Sequence, residues 1–566
     1  MKFGVRFAAA TCRFPFQTAL ELLSAIGLTD VIEIQSGDES PHSKTNYGDL
    51  MTACRWRLVC VSLVVTLGAV QLSAQENSEA GFKPIFNGKD LTGWDGDPKF
   101  WRVEAESIVG QTTTENPAKG NTFIIWKDGE VDDFELKLSY RIQGGNSGIQ
   151  YRSKRADGWV VGGYQADIDS ADMFSGILYE ERGKRGVMAE RGENAVWTGP
   201  ETKKVSQFGD KAALQKEIKK DAWNDYHVIV KGANFKHYIN GKLMSETTDN
   251  DPRLRVLSGI LALQLHAGPP MKVEFKNIRL RRTRLAGVEG MKDRKKIVMV
   301  AGRPSHGPGD HEFNAGSLLL KKCLDENVPY VVTHVYRNGW PSDPTAFDNA
   351  DTIMLYMDGG RGHPLVRTRN RLAEIDQLMK RGVGMVCAHY AVEVPKDQGG
   401  PDLLDWIGGY FEEYWSVNPH WMLKDAKLAE GHPITKGVKP FAMQDEWYYH
   451  MRFRENMEGV TPILSAVPPD STRNRPDDAH GGNKFVRARK GESEIVAWAA
   501  ERKDGGRGFG YTGGHFHKNW GDENNRKMFL NAVLWTAKAE IPENGVESQL
   551  TDDDLAQNLD PKGRRR

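Results

Sequence analysis

Three short sequences in the first half of the chain carry polar side chains that could bind a sugar. They are GGNSGIQYR (144–152), GGYQADID (162–169) and LQLHAG (263–268). Gln165 and Asp167 are two residues apart, as are Gln264 and His266, so each pair would point to one face of a β-sheet. Three such strands, each flanked by glycine and tyrosine, favour a concave sugar-binding cleft. The alternative is a solvated outer face of the sheet.

Histidines gather after the predicted strands of the second half of the chain. His306 and His311 follow the apolar run KIVMVAG (296–302), His389 follows a second run at 383–388, and His515 lies in GGHFHKNW. Continuous apolar runs are typical of buried parallel strands, and ligands bind at the carboxyl ends of such strands. We therefore expect a shared polar site, although each histidine alone could be structural. No HExxH sequence or cysteine pair supports zinc directly, so a divalent metal is left open.

Short alternating segments predict that residues 82–285 form an all-β domain. In FELKLSYRI (134–142) every second residue is apolar, which is the pattern of a half-buried antiparallel strand. Asn240-Gly241 is a two-residue hairpin turn signal. Many short strands with glycine-rich turns indicate a sandwich or jelly roll.

A different pattern begins after a basic stretch and a linker at residues 286–295. Apolar strands alternate with helical segments over 296–540, which predicts a doubly wound α/β domain with a parallel sheet. The basic stretch RLRRTR (279–284) is interpreted as part of a solvated tether. The polar residues 541–566 are predicted to be disordered.

The first 74 residues carry a targeting signal that does not start at residue 1. Arg55 and Arg57 precede a 15-residue apolar segment, Leu58 to Leu72, and Ala74 stands where a cleavage site is expected. We interpret 51–74 as a signal peptide, translation as starting at Met51, and residues 1–50 as an artefact of gene calling. The alternative is a true extension followed by a signal anchor. This interpretation predicts a periplasmic or secreted protein without a stable membrane span after cleavage.

Composition excludes several classes of protein. The 76 basic residues balance the 76 acidic ones, so no net charge favours nucleic acid as a partner. Only 5 cysteines are present, too few for a disulfide scaffold of this length. No P-loop and no GxGxxG after a strand is found, so no nucleotide cofactor is indicated.

Ordered motifs in residues 82–285 resemble the 3-keto-disaccharide hydrolase family. The matching sequences are IFNGKDLTGW (85–94), GNSGIQYR (145–152), SGILYEERG (175–183), WNDYHVIVKGANFKHYINGK (223–242) and LQLHAGPPMKVEFKNIRLR (263–281). The resemblance implies a concanavalin/laminin-G-like jelly roll that acts on glycosides oxidised at C3 of the sugar.

The chemistry that this family implies requires a base. A C3 ketone acidifies the C2 proton, and its removal allows the oxygen at C1 to leave. Asp167 and His266 are the candidate bases, with Glu180 and Gln264 as polar catalytic partners. The expected substrate-binding residues are Asn146, Gln150, Tyr164, Gln165 and Tyr179.

Motifs in residues 296–540 resemble the trehalose-utilisation (ThuA-like) group, which is related to class I glutamine amidotransferases. They are AGRPSHGPGDHEFNAGSLLLKKCL (301–324), GVGMVCAHYA (382–391), EGHPITKGV (430–438), DEWYYHMRF (445–453) and the segment 510–537. The resemblance implies a flavodoxin-like fold and sugar metabolism. At the amidotransferase nucleophile position this chain has His389, with Cys387 two residues earlier, so we expect no glutamine hydrolysis. The predicted site residues are His306, His311, His389, Glu446 and His515.

The sequence thus predicts an exported, two-domain protein with a carbohydrate substrate. The sandwich is expected to cleave 3-keto-glycosides, and the ThuA-like domain to be a second sugar-processing unit. The alternative is a non-catalytic sandwich that binds carbohydrate and brings the α/β domain to polysaccharide. A purely structural surface protein would have its histidines dispersed in the fold.

Overall fold

The computed structural model describes residues 79–562. The predicted extension 1–50 and the predicted signal peptide 51–74 lie outside the described residues, as do the last four residues of the tail. Residues from Gly81 onward belong to one compact unit. Among residues 79–562, no helix has the length and apolar character needed to cross a membrane.

The first domain consists of strands in two stacked sheets. In chain order the strands are β1 (Lys83–Pro84), β2 (Trp94–Asp95), β3 (Trp101–Glu104), β4 (Ser107–Gln111), β5 (Thr122–Val131), β6 (Phe134–Gln143), β7 (Asn146–Asp157), β8 (Val160–Asp169), β9 (Leu178–Glu181), β10 (Gly186–Ala189), β11 (Glu193–Gly199), β12 (Thr202–Gln207), β13 (Asn224–Lys231), β14 (Asn234–Ile239), β15 (Lys242–Asp249), β16 (Gly259–Leu265) and β17 (Lys272–Arg282). One sheet has the order β12-β11-β15-β14-β13-β6-β17-β4-β3, with β1 beside β17, and the other has the order β10-β9-β8-β7-β16-β5-β2. A short helix, α1 (Lys211–Gln215), precedes β13.

The core of this domain lies between the two sheets, as the alternating pattern predicts. Leu136, Leu138 and Tyr140 of β6 are each at most 2% exposed. The hairpin between β14 and β15 turns at Asn240 and Gly241, whose φ angles of 50° and 78° are those of a type I′ turn. The predicted β-sandwich is confirmed.

The second domain contains the remaining strands and most of the helices. The strands are β18 (Lys295–Ala301), β19 (Val331–Tyr336), β20 (Thr352–Tyr356), β21 (Gly384–Ala388), β22 (Gly409–Tyr410), β23 (Trp421–Leu423), β24 (Lys427–Leu428), β25 (Met443–Asp445), β26 (Arg452–Phe453), β27 (Val460–Ala466), β28 (Glu494–Glu501) and β29 (Arg507–Tyr511). The α-helices are α2 (Phe313–Asn327), α3 (Pro364–Arg367), α4 (Arg371–Lys380), α5 (Gly400–Ile407), α6 (Asp470–Arg473), α7 (Lys484–Arg487), α8 (Glu523–Thr536) and α9 (Asp552–Ala556). Single 3₁₀ turns are Gly360–Gly362, His389–Val392, Pro433–Thr435, Glu455–Met457 and His517–Gly521.

The main sheet of this domain has the order β19-β18-β20-β21-β29-β28-β27-β24. The first five strands are parallel, and their order is that of a flavodoxin-like sheet. One face packs on α2 and α8, and the other packs on α4 and α5. The predicted doubly wound fold is confirmed, with the addition of three antiparallel strands, β28, β27 and β24, at one edge.

The prediction that the basic stretch 279–284 is a solvated tether is wrong. Arg282 of this stretch is buried in the contact between the two domains. Residues 279–282 belong to β17, and the Arg282 side chain is fully buried. Arg282 contacts Asp343 at 3.0 Å and Asp132 at 3.5 Å. Arg294, from the predicted linker 286–295, is also buried and lies 3.2 Å from Asp133. Buried guanidinium groups need such carboxylate partners, so this segment cannot be a solvated chain.

The predicted disorder of the C-terminal tail is corrected for residues up to 562. Helix α9 begins with a capping box formed by Thr551 and Asp554. Asp554 also pairs with Lys322 of α2 at 2.6 Å. Near its end, Lys562 lies 3.2 Å from the buried carboxylate of Glu312. The tail therefore packs against α2 and the loop that follows β18.

Candidate functional site

Five of the predicted polar residues of the sandwich lie together on the outer face of one sheet. Strand pairing sets Gln150 opposite Gln165, with Gln264 on the neighbouring strand β16. The Gln150 amide donates to Gln165 at 2.7 Å, and Gln165 donates to Gln264 at 3.4 Å. Asp167 follows on the same face, where it accepts from Asn146 at 2.9 Å. We call Asn146, Gln150, Gln165, Asp167 and Gln264 the amide face.

Asp167 is the group of the amide face that is best suited to move a proton. Its side chain is nearly buried, and its side-chain hydrogen-bond partners in the described structure are the amides of Asn146 and Gln165, with no cationic partner. Burial raises the pKa of Asp167 to about 8, although the hydrogen bonds from Asn146 and Gln165 act in the opposite direction. A carboxyl group with such a pKa exchanges protons near physiological pH.

Two predicted residues, Tyr164 and Glu180, lie on the opposite side of the sheet. Tyr164 packs against Phe235 in the core and donates to Asp249 at 2.5 Å. Glu180 is opposite Tyr164 in the pairing and accepts two hydrogen bonds from the Arg185 guanidinium and one from its backbone amide. Neighbouring residues of a strand face opposite ways, so Tyr164 cannot share a face with Gln165. Tyr164, predicted to bind substrate, and Glu180, predicted as a catalytic partner, therefore lie away from the amide face.

Glu181, and not Glu180, is the carboxylate of β9 that contacts the amide face. It accepts from Gln264 at 3.3 Å and from Asn121 at 3.2 Å. Tyr179, which is opposite Gln165 in the pairing, is on this side too. Because side chains alternate along β9, Tyr179 and Glu181 point to one side of the sheet and Glu180 to the other. This alternation, applied to the sequence, would have identified Glu181 as the carboxylate beside the amide face.

His266 lies one residue beyond the end of β16 and is half-buried. Its Nδ1 is 2.5 Å from the carbonyl oxygen of Ala267. A carbonyl only accepts, so Nδ1 carries the hydrogen and Nε2 is left as the nitrogen that can accept a proton. The Ala267 amide donates to Asn121, which places this loop beside Glu181.

Four predicted residues of the second domain meet at the carboxyl ends of its parallel strands. The Nε2 atoms of His311 and His389 are 3.0 Å apart, and His311 Nε2 is 3.1 Å from His515 Nδ1. Glu446 Oε2 lies 3.1 Å from His515 Nδ1 and 3.5 Å from His389 Nε2. The four atoms lie within 4.8 Å of one another. We call His311, His389, Glu446 and His515 the three-histidine cluster.

Hydrogen bonds to Asp358 and Thr512 fix the orientation of two imidazole rings of this cluster. His311 Nδ1 is 2.9 Å from Asp358 Oδ1, and His389 Nδ1 is 2.9 Å from the carbonyl oxygen of Thr512. Both histidines have positive φ angles, 47° and 54°, which non-glycine residues seldom adopt. Strained backbone at two converging histidines is typical of a functional site.

The electrostatic environment keeps His311 and His389 neutral and Glu446 ionised. Burial lowers the pKa of His311 to about 4 and that of His389 to about 3. Burial alone would raise the pKa of Glu446, but hydrogen bonds from His420 and His515 hold it well below its usual range. The cluster therefore offers the neutral imidazoles of His311 and His389 and one carboxylate beside the ring of His515.

His306, the fifth predicted residue, lies at the edge of the cluster. Its ring centroid is 3.6 Å from that of His311, and its Nδ1 is 4.0 Å from Asp358. The sequence analysis missed Asp358, His420 and Tyr448, although Asp358 lies only two residues after the end of β20. Tyr448 OH is 3.3 Å from His389 Nε2. His420 lies in an irregular segment with no periodic pattern that could have identified it.

A cavity of about 440 Å³ opens beside Glu446. It is lined by Asn418, Pro419, His420, Glu446, Ser471, Thr472 and Arg475. A larger cavity of about 1050 Å³ lies between the domains, but no predicted site residue lines it. The smaller cavity reaches the three-histidine cluster at Glu446, which is the member of the cluster that lines it.

Cys387 has none of the features of a nucleophile. It is fully buried within β21, and burial raises the pKa of its thiol well above the usual range. A thiolate nucleophile needs a lowered pKa and access to substrate. We expect Cys387→Ala to leave any turnover of the protein unchanged within about twofold, at a cost of about 1–2 kcal/mol in unfolding free energy. Assays of turnover and urea unfolding check this, and a variant without activity would contradict it.

Comparisons with known families agree with both sets of motifs. Residues 81–281 match the model of the 3-keto-alpha-glucoside-1,2-lyase-like domain. Residues 305–536 match the model of the trehalose-utilisation family, ThuA. The two matches cover separate parts of the chain, each less than half of its length. The resemblances drawn from the sequence are thereby confirmed, and the two domains make this a carbohydrate-related protein.

Solved structures resemble the two domains separately. A protein from Parabacteroides distasonis ATCC 8503, named as a glycosyl hydrolase, is 19% identical, with 36% of this chain and 99% of that chain covered and a TM-score of 0.25. A ThuA-like protein from Parabacteroides merdae ATCC 43184 is 14% identical, with 46% and 99% covered and a TM-score of 0.31. The carbohydrate-binding module CBM66 from Bacillus subtilis is 17% identical, with 34% and 96% covered and a TM-score of 0.23. No curated protein sequence matches the chain.

Proposed function

We propose that this protein is an exported enzyme that cleaves the glycosidic bond of 3-keto-glycosides. The observation that carries this proposal is the buried carboxyl of Asp167 on the amide face. The family of the sandwich domain supplies the substrate class, and the raised pKa of Asp167 fits the removal of a weakly acidic proton near neutral pH. The ThuA-like domain is proposed to process the same class of sugars.

The proposed reaction begins with a proton transfer. Asp167 removes the C2 proton, the electron pair forms a C1–C2 double bond, and the C1–O bond breaks with its electrons on the leaving alkoxide. The alkoxide takes up a proton to give an alcohol. Water can then add across the double bond, with its oxygen at C1 and a proton at C2, to give the free 3-keto sugar. The net reaction is hydrolysis of the glycoside.

The amide face would position the sugar for this step. Gln150, Gln165 and Gln264 are linked in one hydrogen-bonded row that ends at Glu181. Such a row holds each buried amide in one orientation, so it fixes the positions of Asp167 and Glu181 at the face where the sugar is proposed to bind. His266 Nε2 is the second candidate to accept a proton. The alternative remains a sandwich that binds carbohydrate without catalysis, and it predicts sugar binding without any release of product.

The pH dependence of the reaction tests the role of Asp167. A base acts only when deprotonated, so kcat/KM should rise about tenfold per pH unit below pH 8 and level off above it. Initial rates on a 3-keto-glucoside between pH 5 and 10 provide the measurement. A profile that is already flat at pH 6 would show that a group of lower pKa acts as the base.

A further inference from the structure

We infer that the three-histidine cluster binds one divalent transition-metal ion, with His311 Nε2, His389 Nε2, His515 Nδ1 and Glu446 Oε2 as ligands. This inference goes beyond the proposed glycoside cleavage and does not depend on it, because the amide face belongs to the other domain. It assigns a metal site to the ThuA-like domain and a class of ligand to the cavity beside it.

The hydrogen bonds of His311 and His389 leave their Nε2 atoms without hydrogens and facing each other, which is an arrangement that can bind a cation. The carbonyl oxygen of Thr512 can only accept, so the hydrogen of His389 lies on Nδ1. The carboxylate of Asp358 likewise accepts from Nδ1 of His311. Both Nε2 atoms then present lone pairs to each other across 3.0 Å. The Tyr448 hydroxyl, 3.3 Å from His389 Nε2, can donate to that nitrogen, whereas a cation would be bound by both nitrogens at once. Two nitrogen ligands of a tetrahedral zinc ion lie about 3.3 Å apart, so only a small movement is needed.

The outer contacts have the arrangement found around bound metals. Metal-ligating histidines usually donate their other nitrogen to a carboxylate or a backbone carbonyl, as His311 and His389 do here. The second oxygen of Glu446 accepts from Asn418 at 3.2 Å and lies 3.6 Å from His420. The ligating atoms are thus held before any ion binds.

The donor set selects the kind of metal. Three imidazole nitrogens and one carboxylate oxygen suit zinc, iron, manganese, cobalt or nickel, whereas calcium and magnesium prefer oxygen ligands. Glu446 lines the cavity of about 440 Å³, together with Arg475 and the hydroxyls of Ser471 and Thr472. A metal at this position would face a small, oxygen-rich molecule, such as a hydroxy-ketone, and polarise its carbonyl oxygen.

Two other groups of residues could be considered as metal sites. Glu393 binds His480 through both carboxylate oxygens, at 2.9 Å and 3.1 Å, so this pair is satisfied as an ion pair. His306 and Asp358 could join His311, but His306 is exposed, and the Asp358 oxygen that contacts His311 Nδ1 is already a hydrogen-bond acceptor. The three-histidine cluster is the buried, convergent arrangement among the residues that the structure describes.

Metal titration of the full chain tests the inference. After dialysis against EDTA, calorimetry with ZnCl₂ and with MnCl₂ should show one equivalent of at least one metal bound per chain. His389→Asn and Glu446→Gln should each weaken this binding at least 100-fold. Asp358→Asn should weaken it about 10–100-fold through the orientation of His311. His432→Asn, which can still cap its own helical turn, should bind metal like the wild type.

Specific results would overturn the inference. They are the absence of binding of both metals below 1 mM by the folded wild type, or wild-type affinity in His389→Asn and Glu446→Gln. Loss of binding in His306→Asn would also overturn it by placing the ion between His306 and Asp358. Circular dichroism and thermal unfolding of each variant separate loss of metal from loss of fold. Cleavage of a 3-keto-glucoside is measured separately, so failure of one proposal leaves the other intact.

Discussion

Asp167→Asn is expected to lower kcat for a 3-keto-glucoside by about 10²–10⁴-fold, because general-base catalysis contributes about that factor. Asparagine has nearly the shape of aspartate and can still accept a hydrogen bond from Asn146. It cannot take up the C2 proton at neutral pH. The KM should change far less than kcat if the amide face still binds the sugar. Steady-state rates of the purified full chain provide the measurement.

The matched control for this substitution is Asp157→Asn. Asp157 is an exposed carboxylate at the end of β7, the strand that carries Gln150 on the same sheet. Its replacement should leave kcat within about twofold of the wild type, as is usual for surface changes. Equal activity of Asp167→Asn and Asp157→Asn would remove Asp167 from the mechanism. His266 would then be the remaining candidate base.

Asp132→Asn is expected to destabilise the folded chain by about 3–5 kcal/mol, because it breaks a fully buried ionic contact between the domains. Asp132 of the sandwich lies 2.9 Å from Lys296 and 3.3 Å from His334, both in the α/β domain. Its pKa lies well below the usual range despite burial, because Lys296 and Arg282 stabilise the charge. A neutral amide would leave the Lys296 ammonium buried without a compensating carboxylate. Urea unfolding at pH 7 measures the loss.

A second ion pair between the domains provides the control for Asp132. Lys83 and Asp348 lie 2.7 Å apart, but both side chains are substantially exposed to solvent. Exposed pairs contribute about 0–1 kcal/mol, so Asp348→Asn should change the unfolding free energy by less than about 1 kcal/mol. If Asp132→Asn cost no more than Asp348→Asn, the buried contacts would not be what holds the domains together.

Much of the fold could be predicted because hydrophobic periodicity is a local property. The alternation in β6 and the turn at Asn240 follow from a few neighbouring residues, and so do the apolar runs of β18 and β21. The burial of Arg282 could not be predicted in this way. It depends on Asp343, which is 61 residues away in the sequence and lies in the other domain.

For the candidate sites too, local sequence patterns predicted which residues share a face or a strand end, but not the contacts between distant segments. Alternation correctly placed Gln165 and Asp167 together, and it would also have excluded Tyr164 had it been applied there. The position of Gln150 beside Gln165 depends on the register of β7 and β8, which the sequence does not reveal. Strand-end position favoured His311 and His389 as neighbours. Only the structure shows that their Nε2 atoms face each other, because that orientation depends on Asp358 and Thr512.

Deuterium at C2 of the product tests the central claim most directly. The full chain is incubated with a 3-keto-glucoside in D₂O, and the released 3-keto sugar is examined by NMR and mass spectrometry. Removal of the C2 proton followed by addition of water predicts one deuteron at C2 in every product molecule. Product incubated with Asp167→Asn gives the background exchange. Cleavage that leaves the original hydrogen at C2 would contradict the account, because no proton abstraction would then precede loss of the alcohol.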